Sequence, residues 1–233
     1  MEEEAKAIQE SAKAVQEVAK TAATYQPSIH ELGSFFGRLM TTVEQGSGLI
    51  ADYIKGRRFE LAVKQEARIK ALMEERGIKT IRPMPLSTAV PLIDAATLED
   101  NEDIAEMFAN LIVSHIHKES DTYVPKQFTE TLKQLSPFQA AVLKAMGDAP
   151  EKSRNASGMM YTAPLPNHYW DAPKPYDRDV PGPDRNLLVA LASLQQVGCI
   201  EGSATMGGYR MLTQALVTEF GRAFLDAVAP TRL

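Results

Sequence analysis

The sequence predicts a mainly α-helical chain: a helical bundle followed by a winged-helix-like C-terminal region with a small β-hairpin. Three observations carry that expectation. Apolar residues recur at helical spacing through most of the 233 residues. Helix-start signals (Ser28 with Glu31, Asp100, Ser136-Pro137 with Gln139, and Asp184) stand directly ahead of those runs. Two short candidate strands, 199–201 and 209–217, flank a Gly- and Ser-containing turn near the end.

The elements follow in order. Residues 1–26 hold three consecutive heptads, AKAIQES, AKAVQEV and AKTAATY, which align Ala5, Ala12 and Ala19 with Ile8, Val15 and Ala22 on one helix stripe. Such small seam residues bury little area, so this helix needs a partner surface, either on its own chain or in a coiled coil. Residues 27–82 carry long helices. The first is capped by Ser28 and Glu31, bears Ile29, Leu32, Phe36, Leu39, Met40 and Val43, and includes the close-packing pair Gly33 and Gly37. After Gly46-Ser47-Gly48 the chain turns basic, with Lys55, Arg57, Arg58, Lys64, Arg68, Lys70, Arg76, Lys79 and Arg82, and Gly77 stands where a helix would end.

Residues 83–147 form a further helical core. Pro83 and Pro85 mark a linker; then Asp94, Glu99, Asp100, Glu102, Asp103 and Glu106 reverse the sign of the charge. Asp100 is suited to cap a helix bearing Ile104, Met107, Phe108, Leu111, Ile112 and His115. Pro125 opens another helix, and Ser136-Pro137 the next. Residues 148–183 hold half of the chain's 14 prolines and read as a long irregular loop. Within 184–233, Asp184 caps a helix closed by Gly198, the hairpin follows, and Thr218 starts a last helix bearing Phe220, Phe224 and Val228.

Composition narrows the functional classes. The net charge of −5 argues against nucleic-acid affinity over the whole surface. Cys199 is the single cysteine, so no internal disulfide can form, which suits a reducing compartment. With no apolar run of about 18 residues and an acidic Met-Glu-Glu-Glu start, the expected location is the cytoplasm. His115 and His117 lie two apart on a helix and face different ways, so no shared metal is expected. His168, Tyr169, Trp170 and Asp171 crowd a base, aromatics and a carboxylate into one loop, where packing is the plainer role than catalysis. No P-loop, GxGxxG or GxSxG is present, and neither a cofactor nor a small-molecule substrate is expected.

Two regions are candidates for binding. Lys55, Arg57, Arg58, Lys64 and Arg68 could meet nucleic acid or another anionic partner, or could meet the acidic 94–106 segment of the same fold. Glu99, Asp100, Asn110, Arg185 and Arg210 are candidates for contact with a protein partner. The winged-helix-like end offers a DNA reader only Arg185, Asn186, Gln195, Gln196 and Arg210, which favours protein contact. Asn110, a polar residue beside an apolar stripe, is expected to hydrogen-bond a neighbouring helix end.

The stretch VPLIDAATLEDNEDIAEMFANLIVSHI, followed by FTETLKQLSPFQAAVLKAM, resembles the signature region of the Abi-alpha (abortive infection alpha) family of bacterial phage-defence proteins. The matching positions are Leu98, Glu99, Asp100, Phe108, Ala109, Asn110, Leu111, Leu132, Lys133, Gln134, Leu135, Ser136 and Pro137. The resemblance covers residues 50–147 and 185–228 and implies a role in abortive infection, without supplying catalytic residues. The leading expectation is therefore a non-enzymatic defence protein acting on a protein partner or by self-association. A winged-helix-like nucleic-acid regulator and a toxic effector working at the membrane through the N-terminal helices are the alternatives.

Overall fold

Helical periodicity, local caps and burial combine in a computed structural model that describes residues 49–119, 123–174, 180–204 and 210–228. The heptads of 5–22, the Ser28/Glu31 cap and the Gly33/Gly37 pair lie outside the described residues.

Seven α-helices are described: α1 (Leu49–Glu75), α2 (Leu86–Ala96), α3 (Glu102–Ile116), α4 (Gln127–Gln134), α5 (Pro137–Asp148), α6 (Arg185–Gln196) and α7 (Glu219–Val228). Three short strands join them: β1 (Met160–Tyr161), β2 (Ile200–Ala204) and β3 (Arg210–Val217). The chain is mainly α.

The helix at the centre is α3. Its Ile104, Ala105, Phe108, Ala109, Leu111, Ile112, Val113 and Ile116 are all buried, which covers more of the circumference than one stripe can. α1, α2, α4, α5 and α7 all pack against it. One continuous apolar core results, running from Ile69 and Met73 through Leu92, Phe108 and Leu143 to Leu191 and Phe224. Each such side chain contributes roughly 1.5–3 kcal/mol by leaving water.

The ends of these helices show why the chain stops and starts where it does. Gly77 (φ 64°) and Gly198 (φ 81°) adopt the left-handed conformation that L side chains resist. After each, the next amide returns to the helix: Ile78 N–H to Met73 O at 2.8 Å, and Cys199 N–H to Leu194 O at 3.0 Å. Ser136 and Gln139 form the reciprocal cap expected of them, and Asp184 accepts from Leu187 N–H. Asp100 does not cap α3. Asn101 does, its side chain accepting from Ile104 N–H at 3.1 Å, while Glu99 accepts from Asn101 N–H at 2.8 Å. Either residue has the right chemistry; the extended backbone falls at Asn101, which leaves Asp100 exposed.

The expected hairpin gains a third strand. β3 pairs antiparallel with β2 on one side and with β1 on the other, giving the order β1-β3-β2, with Met160 opposite Ala215 and Ile200 opposite Val217. The β2–β3 register shifts after Gly202. The Pro-rich segment is thus stitched onto the body. Thr162 Oγ1 donates to Leu212 O at 2.5 Å, Tyr169 Oη to Ala145 O at 3.0 Å, and Arg154 to Met146 O at 2.8 Å.

Candidate partner-binding surface

The basic face of α1 and the acidic turn ahead of α3 meet within the chain. The Arg58 guanidinium pairs with Asp94 at the end of α2 and donates from Nε to Thr97 Oγ1 at 3.2 Å. Arg68 pairs with Glu102 at the start of α3. Gln65 donates to Ala105 O at 2.9 Å. Beyond the end of α1, Arg76 donates to Asn110 Oδ1, while Asn110 Nδ2 donates back to Glu106 O at 3.0 Å. Buried Asn110 therefore bonds the helix end next to it, as its place beside an apolar stripe suggested. Burial holds the Arg76 pKa below its ordinary value.

Arg57 and Lys64 lie on the outer side of α1. Arg57 (2.7 Å) and Lys64 (3.3 Å) flank Glu60, and their hydrogen bonds hold the Glu60 carboxyl below the usual carboxylate range. The side chains of Lys55 and Arg210 lie outside the described ones. Arg58 and Arg68 thus pair with carboxylates of neighbouring helices, and Arg57 and Lys64 with Glu60 of α1 itself.

The aromatic loop is a packed structure. Tyr161 and Trp170 meet edge to face with centroids 5.9 Å apart, and His168 leans on Trp170 at 6.4 Å. His168 and Asp171 are both exposed. Between the starts of α2 and α4 lies a shallow depression of about 210 Å³ bordered by Ser87, Pro91, Lys126 and Glu130. Among the described residues no group of three or more His, Cys, Asp or Glu side chains could hold a metal ion. Among the same residues, no helix is long and apolar enough to cross a membrane.

His115, in the last turn of α3, has a clear physical consequence. Its Nε2 is buried with no hydrogen-bond partner. Desolvation, with the nearby Arg82 charge second, lowers its pKa from 6.5 to about 4. Unfolding returns the ring to its ordinary value, so below pH ~6.5 the unfolded chain takes up a proton that the folded chain refuses. Stability is whole above that pH and falls as the pH drops toward 4. Between pH 7 and pH 5 the loss from this ring is on the order of 1 kcal/mol once its remaining exposure is allowed for. In urea unfolding at the two pH values, His115→Phe should show that much less acid sensitivity than the parent. Equal losses in the two proteins would show that His115 is not the source.

On α6, where the sequence singles out polar residues alone, the outer face also carries apolar ones. Leu187, Ala190, Leu191 and Leu194 face the core, yet Leu188, Val189 and Ala192 are exposed, with Arg185 exposed in the first turn. The run Leu187-Leu188-Val189 is richer in apolar residues than a one-sided helix needs, and that surplus was the available signal. Of the polar residues proposed there, Gln195 is engaged at home: its Oε1 accepts from Gly202 N–H at 3.0 Å.

A family model described as abortive infection alpha matches residues 58–228, a span that includes the Pro-rich loop. No curated protein and no solved structure matches the chain.

Proposed function

The chain belongs to the abortive infection alpha family, concerned with defence against phage, and from that premise we propose that it acts by binding a protein partner through the outer face of α6, not by catalysis. The exposure of Leu188, Val189 and Ala192 on a helix whose opposite face is locked in the core carries this reading. A rigid helix presenting a small apolar patch with an arginine at its edge matches the anatomy of protein interfaces. A reader of duplex DNA would need Arg, Lys, Asn or Gln at those positions to reach base edges and phosphates. The winged-helix-like sequence of α6 followed by the β2–β3 hairpin supplies the scaffold, and the single buried thiol suits the cytoplasm.

The test is a plaque assay on cells expressing the Leu188→Asp/Val189→Asp variant. Charges at the centre of an apolar contact cost about 2 kcal/mol or more of binding, roughly a 30-fold weaker complex. Plating efficiency should rise toward that of undefended cells, while the melting temperature stays within about 2 °C because neither side chain belongs to the core. Full protection by the doubly substituted protein would end this proposal. A salt-sensitive shift of duplex DNA by the parent protein, abolished by the same substitutions, would replace the protein partner with nucleic acid.

A further inference from the structure

Two helices of the core begin side by side, and no side chain closes either start. α2 follows Pro85 and α4 follows Lys126, and neither residue caps the first turn. Asn101, Ser136 and Asp184 do so for α3, α5 and α6. α2 and α4 pack on α3 and on each other. Their starts therefore share the rim of the depression bordered by Ser87, Thr88, Lys126 and Thr129. The Thr88 and Ala89 amides turn back to Pro85 O at 2.9 Å, and those of Phe128 and Thr129 to Pro125 O and Lys126 O at 3.0 and 3.1 Å. The amides of Leu86, Ser87 and Gln127 come before these and have no helical carbonyl behind them to bond. Each start is also the positive end of a helix dipole.

Two side chains add to this. Lys126 places a cation at the positive end of α4, where the dipole disfavours one. Its ammonium donates to Ser87 Oγ at 3.0 Å and so spans the two helix starts. The acid one turn on, Glu130, is held instead by Lys133 at 3.0 Å. Thr129 lines the depression and is only 3% exposed, yet its Oγ1 is buried with no hydrogen-bond partner. A buried hydroxyl left unbonded costs stability. A helical threonine has two rotamers open to it, so a ligand seated in the depression can take up that hydroxyl.

We propose that this depression binds a small phosphate-type anion, either free phosphate or the phosphate monoester of a small metabolite. The Lys126 ammonium, the Ser87 and Thr129 hydroxyls and the first amides of α2 and α4 hold it. Helix starts with unbonded amides suit phosphate oxygens, and here two of them face one ligand. The volume of about 210 Å³ falls below the ~300–1,000 Å³ of pockets that enclose larger organic ligands. Glu130 also stands on the rim and opposes an anion, an effect that its bond to Lys133 offsets. The proposal is independent of the reading of α6.

The test follows the amide NMR signals of residues 86–88 and 127–129 in the full chain. Inorganic phosphate and glycerol phosphate are titrated in parallel at constant ionic strength. Saturable shifts at both helix starts are expected, with a dissociation constant in the millimolar range. Tighter binding of glycerol phosphate identifies the ligand as a monoester; equal or weaker binding identifies it as free phosphate. Lys126→Met, at an exposed position, leaves the core intact and should weaken binding about tenfold, the loss of one charge-assisted bond. Thr129→Val should weaken it by about threefold or more. Its melting temperature should stay at or above the parent's, because an unbonded hydroxyl leaves a buried place. A purely structural threonine would leave the phosphate affinity untouched. No saturable shift at either helix start, or undiminished binding in either variant, overturns the proposal.

Discussion

Gly221→Ala is expected to be among the most damaging single-methyl additions in the protein. A Cβ at this position, in the first turn of α7, would overlap the carbonyl oxygen of Cys199 and stand 2.9 Å from both the Cys199 carbonyl carbon and Val217 Cγ1. The oxygen belongs to fixed backbone. Cys199 and Ile200 are buried, and the junction is clamped by Thr218, whose N–H donates to Cys199 O at 3.0 Å and whose Oγ1 donates to Gly198 O at 2.6 Å and accepts from Gly221 N–H at 2.9 Å. α7 can yield only by lifting from the sheet, and Phe224 lifts with it. That ring stacks edge to face on Phe128 at 5.4 Å, and Ala227 O accepts from Ser114 Oγ at 2.9 Å, so the strain reaches α3 and α4. Overpacking of this kind costs about 3 kcal/mol or more, which lowers the melting temperature by roughly 6–12 °C for a chain of this size. Gly147→Ala is the control. Its Cβ would meet Leu225 Cδ1 at 2.5 Å, the far end of a side chain that can rotate away. The cost there should stay below about 1 kcal/mol, because alanine also favours the helix. Thermal melts of the two variants side by side decide the matter, and equal midpoints would contradict the geometry.

The contrast between those glycines also marks what a sequence can reveal. Features settled within four or five residues were legible: the Ser136/Gln139 cap, Asp184, the glycine stops at 77 and 198, and the Thr218 start. Features settled by distant partners were not. α2 has Pro91 inside it, and the burial of Leu92, Ile93 and Ala96 holds the helix around that residue. β1 is two residues in a proline-rich stretch, and only its pairing with β3 makes it a strand. At the start of α3, two adjacent residues could cap equally well by chemistry, and the backbone chose Asn101 over Asp100. The candidate surfaces divide in the same way. Opposite charge on 55–82 and 94–106 was visible, and so was the option that they meet, but not which arginine meets which carboxylate. On α6 the surplus of apolar residues was present in the sequence, yet burial alone tells which of them face outward.

Asp94→Ala should destabilise the protein more than Arg58→Met, although each variant breaks the same ion pair. The two partners differ in their access to water: the Arg58 side chain is 9% exposed and that of Asp94 45%. Removing Arg58 releases a carboxylate that water can solvate and leaves a methionine to fill much of the space. Removing Asp94 strands a guanidinium among buried neighbours, with the hydroxyl of fully buried Thr97 as its remaining named acceptor at 3.2 Å. An uncompensated buried charge costs about 3–5 kcal/mol; with one partner half in water, about 2–3 kcal/mol is expected for Asp94→Ala and about 1–2 for Arg58→Met. The doubly substituted protein should resemble Arg58→Met alone, because the charge that made the loss of Asp94 expensive is gone. Urea unfolding of the three variants measures this directly. If Asp94→Ala proved the milder change, Arg58 would have to be stabilised by something other than this pair, and its availability to an anionic partner would be open again. If the order holds, the arginine that sequence reading offered to nucleic acid is a fastening between α1 and α2, and a search for the partner turns to the outer face of α6.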